Sequence, residues 1–443
     1  MPPTPPPVPG LRFKLCLMMF LQFFIWGAWF ELGFAYIPTL GFDPDWQLPL
    51  VFGAFNVGAL AALFFSTQFA DRNFAAEKFL AVSHLIGGLA ILGLFFLTGD
   101  KASPAPFWPF FGLMLLHSLF YVPTISITNS IAFANLRDPA TQFGPIRLWG
   151  TIGWIAASWP FIFILVDWAK VPDMGQLGFV QWFGQALGTS KTGADATNAQ
   201  RYIFLVAGGA SLLLAAVSPF LPHTPPKPAT GEDSLAWLKA AKLLQKPFIA
   251  VLFFVTFLDA AVHQSFFYWT APFLQSEVGI PANWVTPVMK IGQLAEIITM
   301  LFLGYVLKSF GWRLTMTLGV LGHAARFAVF AFFPEQVPAV AVNVIHGVCY
   351  AFFFATVYIF VDEYFPKDVR SSAQGLFNAL ILGVGPFVAN FVCGRLATTY
   401  AAGEGKLNYS PIFQVSMYVA LAGAVILLLF FHPPRKAGTD VPA

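Results

Sequence analysis

The chain reads as an all-α integral membrane protein of twelve transmembrane helices in a six-plus-six arrangement, and three observations predict it. Charged residues make up only 10% of its 443 residues, where soluble proteins carry roughly 25%. Hydrophobic residues reach 57%, with 52 Phe, 13 Trp and 11 Tyr, and the mean hydropathy is +0.70. Apolar runs of about 20 residues, the length that crosses a hydrocarbon core about 30 Å thick, recur along the chain, and one long polar stretch parts them into two equal sets. This composition excludes a disordered chain, which needs low hydrophobicity and high charge. It also excludes a disulfide scaffold, because Cys16, Cys349 and Cys393 lie far apart inside apolar runs. A net charge of +3 with dispersed Lys and Arg leaves no nucleic-acid footprint.

In order, residues 1–12 form a flexible Pro-rich arm that lacks the basic start and small-residue cleavage site of a signal peptide. Six apolar runs follow near 13–39, 48–70, 79–98, 107–135, 145–167 and 202–221, giving a first bundle over 13–221. Six more lie near 247–274, 283–307, 313–333, 338–361, 372–397 and 411–432, giving a second over 247–432, and 433–443 is a tail. Gly150, Gly153, Pro160, Gly383, Gly385 and Pro386 would break soluble helices. Membrane bundles tolerate them because neighbouring helices re-satisfy the freed backbone groups.

Lys and Arg set the orientation, since short cytoplasmic loops retain them. With the N-terminus inside, the inner side holds fifteen, among them Arg12, Lys14, Arg72, Lys78, Lys308, Arg313, Lys367 and Arg370. The outer side holds six, Lys101, Lys170, Lys191, Arg201, Arg395 and Lys406. Both termini are therefore expected in the cytoplasm, and a bacterial inner membrane is the expected location. The linker 222–246 carries an amphipathic pattern after Asp233 or Ser234, with Leu235, Trp237, Leu238, Leu243 and Leu244 against Lys239, Lys242 and Lys246. We expect a helix lying along the inner surface there. The outer loop 168–201 contains GFVQWFGQAL, either a partial lid or a packed turn. The loops after runs 4 and 10, ANLRDPATQFGPIRLWGTIGW and VDEYFPKDVRSSAQGLFNAL, both run acid, proline, Arg and then a small-residue helix. Such repeats belong to transporters of the major facilitator type, whose site lies at the midplane between the halves.

A charge at the centre of a membrane helix costs roughly 2.5 to 3.5 kcal/mol on insertion scales, so each one retained needs a reason. The candidates are Glu31, Asp259, Lys290, Glu296 and Arg326, with Arg147 near the inner end of run 5. In MKIGQLAEII, Lys290, Gln293 and Glu296 are three residues apart and share one helical face. That face suits a water-accessible cavity holding substrate and a proton. The competing reading is an internal ion pair that locks two helices, and for Glu31, Asp259 and Arg326 that structural reading is the stronger. Gln22, Trp26 and Trp29 form a polar-aromatic stripe, and Asn129, Thr151, Trp154, His263 and Gln264 supply further groups. Aromatic faces with amide donors and acceptors suit a flat, hydroxylated solute such as a nucleoside. His263, taken alone, reads as a helix-to-helix hydrogen bonder. No metalloprotease H-E-x-x-H, hydrolase G-x-S-x-G, Walker loop or Cys/His pair at ligand spacing occurs. We therefore expect no catalytic residues, metal or cofactor, and a driving force taken from an ion or solute gradient.

FLQFFIWGAWF, YVPTISITNSIAFANL, FGPIRLWGTIGWIA, GQLAEI, ARFAVFAF and HGVCYAFFFATVYIFVDEYFPKDVRSSAQGL resemble the bacterial nucleoside:proton symporter family, a branch of the major facilitator superfamily. The resemblance implies proton-linked nucleoside uptake. It places Arg147, Thr151 and Trp154 where run 5 of the family contacts substrate, with Trp154 standing for a Phe. Gln264 fits an amide of run 7, and Gln293 with Glu296 fits a Gln-x-x-Glu pair of run 8. Two positions depart from the pattern: Ala351 stands where family members commonly carry an acid, and Phe267 where they carry Asn. Coupling then falls to Glu296 alone, or to Glu296 with Glu31 or Asp259.

The expected function is nucleoside import by proton symport with alternating access. The substrate-binding residues would be Trp26, Asn129, Arg147, Thr151, Trp154, Gln264, Gln293 and Glu296, and Glu296 would also carry the coupling proton. The expected partners are a nucleoside, a proton and the lipid bilayer, with no nucleic acid, and the expected state is a monomer. The alternatives are a transporter of sugars or another small polar metabolite, a nucleoside uniporter, and a membrane solute sensor that moves nothing.

Overall fold

The computed structural model describes residues 10–65, 74–226, 241–366, 370–403 and 406–434. Among the described residues each of the twelve apolar runs falls mainly on helix, and the helices are numbered accordingly. The first six are α1 (Leu11–Tyr36), α2 (Gln47–Phe65), α3 (Ala76–Leu94), α4 (Phe107–Asn135), α5 (Pro139–Ala156, continued by Trp159–Ile164) and α6 (Tyr202–Val217). Then follow α7 (Pro247–Ser276), α8 and α9 (the parts of Val285–Phe332 before and after Gly311), α10 (Gln336–Tyr364), α11 (Ser372–Thr399) and α12 (Tyr409–Phe430). Among the described residues, extended pairing is confined to two isolated bridges, Val166 with Ser190 and Ala401 with Leu407.

Nine of the described helices are long and apolar enough to cross a membrane. One of these, Ala282–Phe332, runs for 51 residues, about 77 Å of helix at 1.5 Å per residue and far more than one crossing needs. Gly311 divides it. Its φ of 73° and ψ of 179° lie in a region essentially reserved for glycine, so α8 and α9 part at the basic turn LKSFGWRL. Two departures from α geometry follow, π-helical turns at Tyr350–Ala355 in α10 and Ala379–Val384 in α11. Each shifts the hydrogen-bond register and re-aims the side chains beyond it.

The surface helix expected within the linker falls largely on residues 227–240, outside the described residues. From Leu243 a short 3₁₀ turn leads into α7, which starts on Pro247. The loop 168–201 is folded, with helices at Phe179–Gly188 and Gly193–Gln200. It is pinned where Asp167 N–H donates to Thr189 O (2.9 Å), Lys191 N–H to Leu165 O (2.8 Å) and the Trp182 indole to Pro172 O (3.0 Å).

By internal contact the chain divides into Met1–Phe42 with Val57–Ala229, and Asp43–Asn56 with Thr230–Ala443. In the first unit α1 and α5 approach backbone to backbone. A Cβ on Gly153 would stand 2.1 Å from the Phe20 carbonyl oxygen, and one on Gly27 would stand 2.9 Å from that of Trp154. In the second unit α8 and α10 do the same, with Gly347 against the Ala295 backbone (2.6 Å) and Gly292 against His346 Cβ (2.8 Å). Small residues at such crossings allow the van der Waals contact that holds membrane helices together.

Gly153→Ala is therefore expected to push α1 from α5 and destabilise the detergent-solubilised protein by about 1 to 3 kcal/mol, the usual cost of overpacking. Gly112→Ala, where an added Cβ meets nothing within 4 Å, serves as the control in thermal melting. Equal melting temperatures for the two variants would remove the α1 to α5 contact as a determinant of the fold.

Candidate functional site

In the first unit the close crossing of α1 and α5 decides which side chains meet. Trp26 and Trp154 stand edge to face, ring centroids 5.2 Å apart at 85°, and Phe30 lies 6.2 Å from Trp154. One turn away the Arg147 guanidinium sits 4.0 Å over the Phe23 ring, a cation–π contact that holds its long side chain against α1. Arg147, Thr151 and Trp154 are spaced by four and three on α5 and so share one face. Thr151 is half-buried on it. Asn129 is half-buried on α4, and its Oδ1 accepts no hydrogen bond among the described residues.

The polar stripe of α1 divides. Trp26 is half-buried, whereas Gln22 is fully enclosed. Its amide donates to Thr124 Oγ1 (2.9 Å) and its Oε1 faces His84 Nε2 (2.9 Å), while His84 Nδ1 lies 3.0 Å from Ser211 Oγ. This network joins α1, α3, α4 and α6, and it consumes the Gln22 amide that the sequence places on the polar-aromatic stripe. Trp29 is likewise buried, edge-on to His117 at 6.1 Å.

In the second unit the face shared by Lys290, Gln293 and Glu296 is turned inward. Lys290 and Gln293 are buried and Glu296 is half-buried. The Gln293 Nε2 atom lies 3.4 Å from His346 Nε2. Gln264 heads a chain of amides: its Nε2 donates to Asn390 Oδ1 (2.9 Å), Asn390 Nδ2 to Asn56 Oδ1 (3.0 Å), and Asn56 Nδ2 to Leu382 O (2.9 Å). Ala351, where an acid was expected, is fully buried in the π turn of α10. Phe267 packs edge to face on His263 (5.2 Å) and His346 (6.0 Å).

His263, expected as a helix-to-helix hydrogen bonder, has two further histidines beside it. It stacks on His346 at 5.2 Å and meets His323 edge-on at 5.5 Å. Arg326 is wholly buried between the last two, Nη2 to His323 Nδ1 at 2.8 Å and Nη1 to His346 Nδ1 at 2.9 Å. Asp259 Oδ2 lies 3.7 Å from His323 Nε2. Sequence reading missed His323 and His346 as partners, and the available signal was that three of the seven His, His263, His323 and His346, fall in the interior of apolar runs of this half. Among the described residues no group of three or more His, Cys, Asp or Glu is arranged to hold a metal ion.

The geometry thus gathers Trp26, Arg147, Thr151 and Trp154 in one unit and joins Gln293 to a histidine cluster in the other. Comparison with known proteins gives this arrangement its context. The chain is 32% identical to the putative nucleoside transporter YegT of Escherichia coli K12, over 97% of this chain and 95% of that one. It is 28% identical to the xanthosine permease of the same organism, over 96% and 98%. The crystal structure of the nucleoside transporter NupG superposes with a TM-score of 0.78 at 23% identity, covering 96% of this chain and all of the other. This is the major facilitator fold that the run pattern predicts, in a multi-pass membrane protein. The model of the nucleoside H+ symporter family matches residues 10–177 and 166–436, nearly the whole length, and the chain belongs to that family.

Proposed function

We propose that this protein imports nucleosides across the bacterial inner membrane by proton symport with alternating access, as a monomer with both termini in the cytoplasm. The observation that carries the reading is the inward-turned row of Lys290, Gln293 and Glu296 on α8, in a chain that belongs along its length to a nucleoside H+ symporter family. A charge on a membrane helix is retained at a cost of several kcal/mol, and a carboxylate beside an amide provides both proton uptake and hydrogen bonding to a solute. Trp26 and Trp154 offer ring edges and faces for a base. Arg147, Thr151 and Asn129 offer donors and acceptors in the first unit, and Gln264 and Gln293 offer them in the second. Gln264 gives one Nε2 hydrogen to Asn390, which leaves its Oε1 and its second Nε2 hydrogen for a solute. Uptake of a labelled panel of purine and pyrimidine nucleosides into intact cells is the direct test. Saturable uptake of at least one nucleoside is expected, and no nucleoside uptake with clear competition by sugars would transfer the reading to a sugar transporter.

Removing one hydrogen-bond partner in a desolvated site costs about 1 to 3 kcal/mol, roughly tenfold to a hundredfold in affinity. Gln293→Ala is expected to weaken nucleoside binding by that amount. Gln264→Ala should do so while also lowering thermal stability, because the amide chain to Asn390 and Asn56 loses its head. Unchanged affinity in either folded variant removes that residue from the solute's contacts.

Each coupled proton can support about tenfold accumulation per pH unit, since one unit is worth 1.36 kcal/mol. In proteoliposomes with the voltage collapsed, Glu296→Gln, the neutral mimic of the protonated acid, should keep nucleoside counterflow. Its steady accumulation under a one-unit proton gradient should fall by about tenfold. An accumulation ratio equal to wild type would exclude Glu296 as a coupling residue, and no accumulation in the wild type would make the protein a uniporter.

A further inference from the structure

The histidine cluster of the second unit contains a carboxylate that the solute-facing residues do not account for. Asp259 on α7 is 1% exposed, and neither of its oxygens accepts a hydrogen bond among the described residues. The charges and titratable groups of the cluster that holds it come from each neighbouring helix. They are His263 on α7 itself, Lys290 on α8, His323 and Arg326 on α9, and His346 and Cys349 on α10. Helix α12 carries no Asp, Glu, Lys, Arg or His between Tyr409 and Phe430. The charged residue of α11, Arg395, lies at its far end, 3.6 Å from Asp45.

Proton bookkeeping fixes the direction of every bond in this cluster. A guanidinium only donates, so His323 and His346 must each present a bare Nδ1 to Arg326, and each carries its hydrogen on Nε2. His323 then points Nε2–H at Asp259 Oδ2 across 3.7 Å, too long for a hydrogen bond. Asp259 and Arg326 therefore balance one another through a neutral imidazole instead of touching. His346 points its Nε2–H at the Gln293 amide 3.4 Å away. The amide oxygen and nitrogen are interchangeable in shape, and only Gln293 Oε1 can accept that hydrogen. Turned so, the amide satisfies an oxygen that otherwise has no partner among the described residues.

A buried carboxylate without hydrogen bonds is costly as an anion and much less so as an acid. Asp259 and Arg326 together carry net charge zero when the acid is ionised and +1 when it is protonated, and the added charge acts through Arg326 and His346 on Gln293. We propose that Asp259 is a second proton-coupling residue of the transport cycle, working with Glu296 and linked to the solute-binding Gln293 through His323, Arg326 and His346. The carboxylate takes one proton from the acidic side and returns it to the cytoplasm, with no other bond made or broken. The proposal rests on the symport reading above and supplies, from α7, the acid that α10 lacks at Ala351.

The test is the equilibrium accumulation ratio in voltage-clamped proteoliposomes under a gradient of one pH unit, using nucleoside as the transported species. Two coupled protons allow about a hundredfold ratio and one allows about tenfold. Wild type should approach the higher limit, Asp259→Asn the lower one with counterflow retained, and Asp259→Asn combined with Glu296→Gln should only equilibrate. A residue with a purely structural role changes rates and stability but leaves this ratio where it was. Where Asp259→Asn strands Arg326 and fails to fold, Asp259→Asn with Arg326→Gln removes both charges and carries the same measurement. An Asp259→Asn ratio equal to wild type overturns the proposal and leaves symport standing. A wild type that does not concentrate nucleoside at all overturns the symport reading itself.

Discussion

Lipid tails are as apolar as Leu, so membrane helices gain nothing by hiding apolar side chains from their solvent, and their association depends on close van der Waals approach and on buried polar bonds. Both halves of this protein are arranged around that constraint. Where α1 meets α5 the helices approach until glycine alone fits at Gly153, and the same approach turns the edge of Trp26 to the face of Trp154. Where α8 meets α10, Gly292 and Gly347 bring the two backbones together, and Gln293 consequently reaches His346. The side chains with binding chemistry are therefore placed by residues that have no side chain.

The two units spend their buried polar groups differently. In the first, Gln22, His84, Thr124 and Ser211 close a network without formal charge across four helices, and every member is a satisfied neutral group. Such a network has one arrangement and holds it. In the second, a guanidinium and a carboxylate are separated by an imidazole, and the carboxylate lies beyond hydrogen-bond reach of it. A pair held at that distance gives up part of its attraction, and a proton on Asp259 relieves the buried anion at the expense of the balance with Arg326. A titrating group needs two states of similar free energy, and the second unit holds the pair that offers them.

The all-helical membrane fold was legible in the sequence because hydrocarbon thickness imposes a run length that survives any detail of packing. The face of Lys290, Gln293 and Glu296 was legible for a related reason, since helical spacing alone puts the three together. The histidine cluster was not, because His263, His323 and His346 come from three helices and no local pattern links them. Gln22 misled for the converse reason. Its spacing from Trp26 and Trp29 is that of one face, but a helix face is wide enough for one end to point at a solute while the other is sealed by α3 and α4. The break between α8 and α9 was readable as a basic turn, whereas its form, a glycine with φ of 73°, is a property of the backbone that run length does not report.

The π turns connect these observations. A π turn leaves a carbonyl out of register, and in a bilayer such a group must find a donor within the protein. In α11 the carbonyl of Leu382 receives Asn56 Nδ2, the end of the amide chain that starts at Gln264. In α10 the carbonyl of Ala351 receives the Thr356 hydroxyl (3.1 Å). Ala351 thus occupies a π turn whose free carbonyl is already satisfied, in a stretch where an acid would add a second buried charge to one that Asp259 provides four residues before His263. The fully buried acid of this half therefore stands on α7, at Asp259, and not on α10, where Ala351 leaves the π turn without a charge.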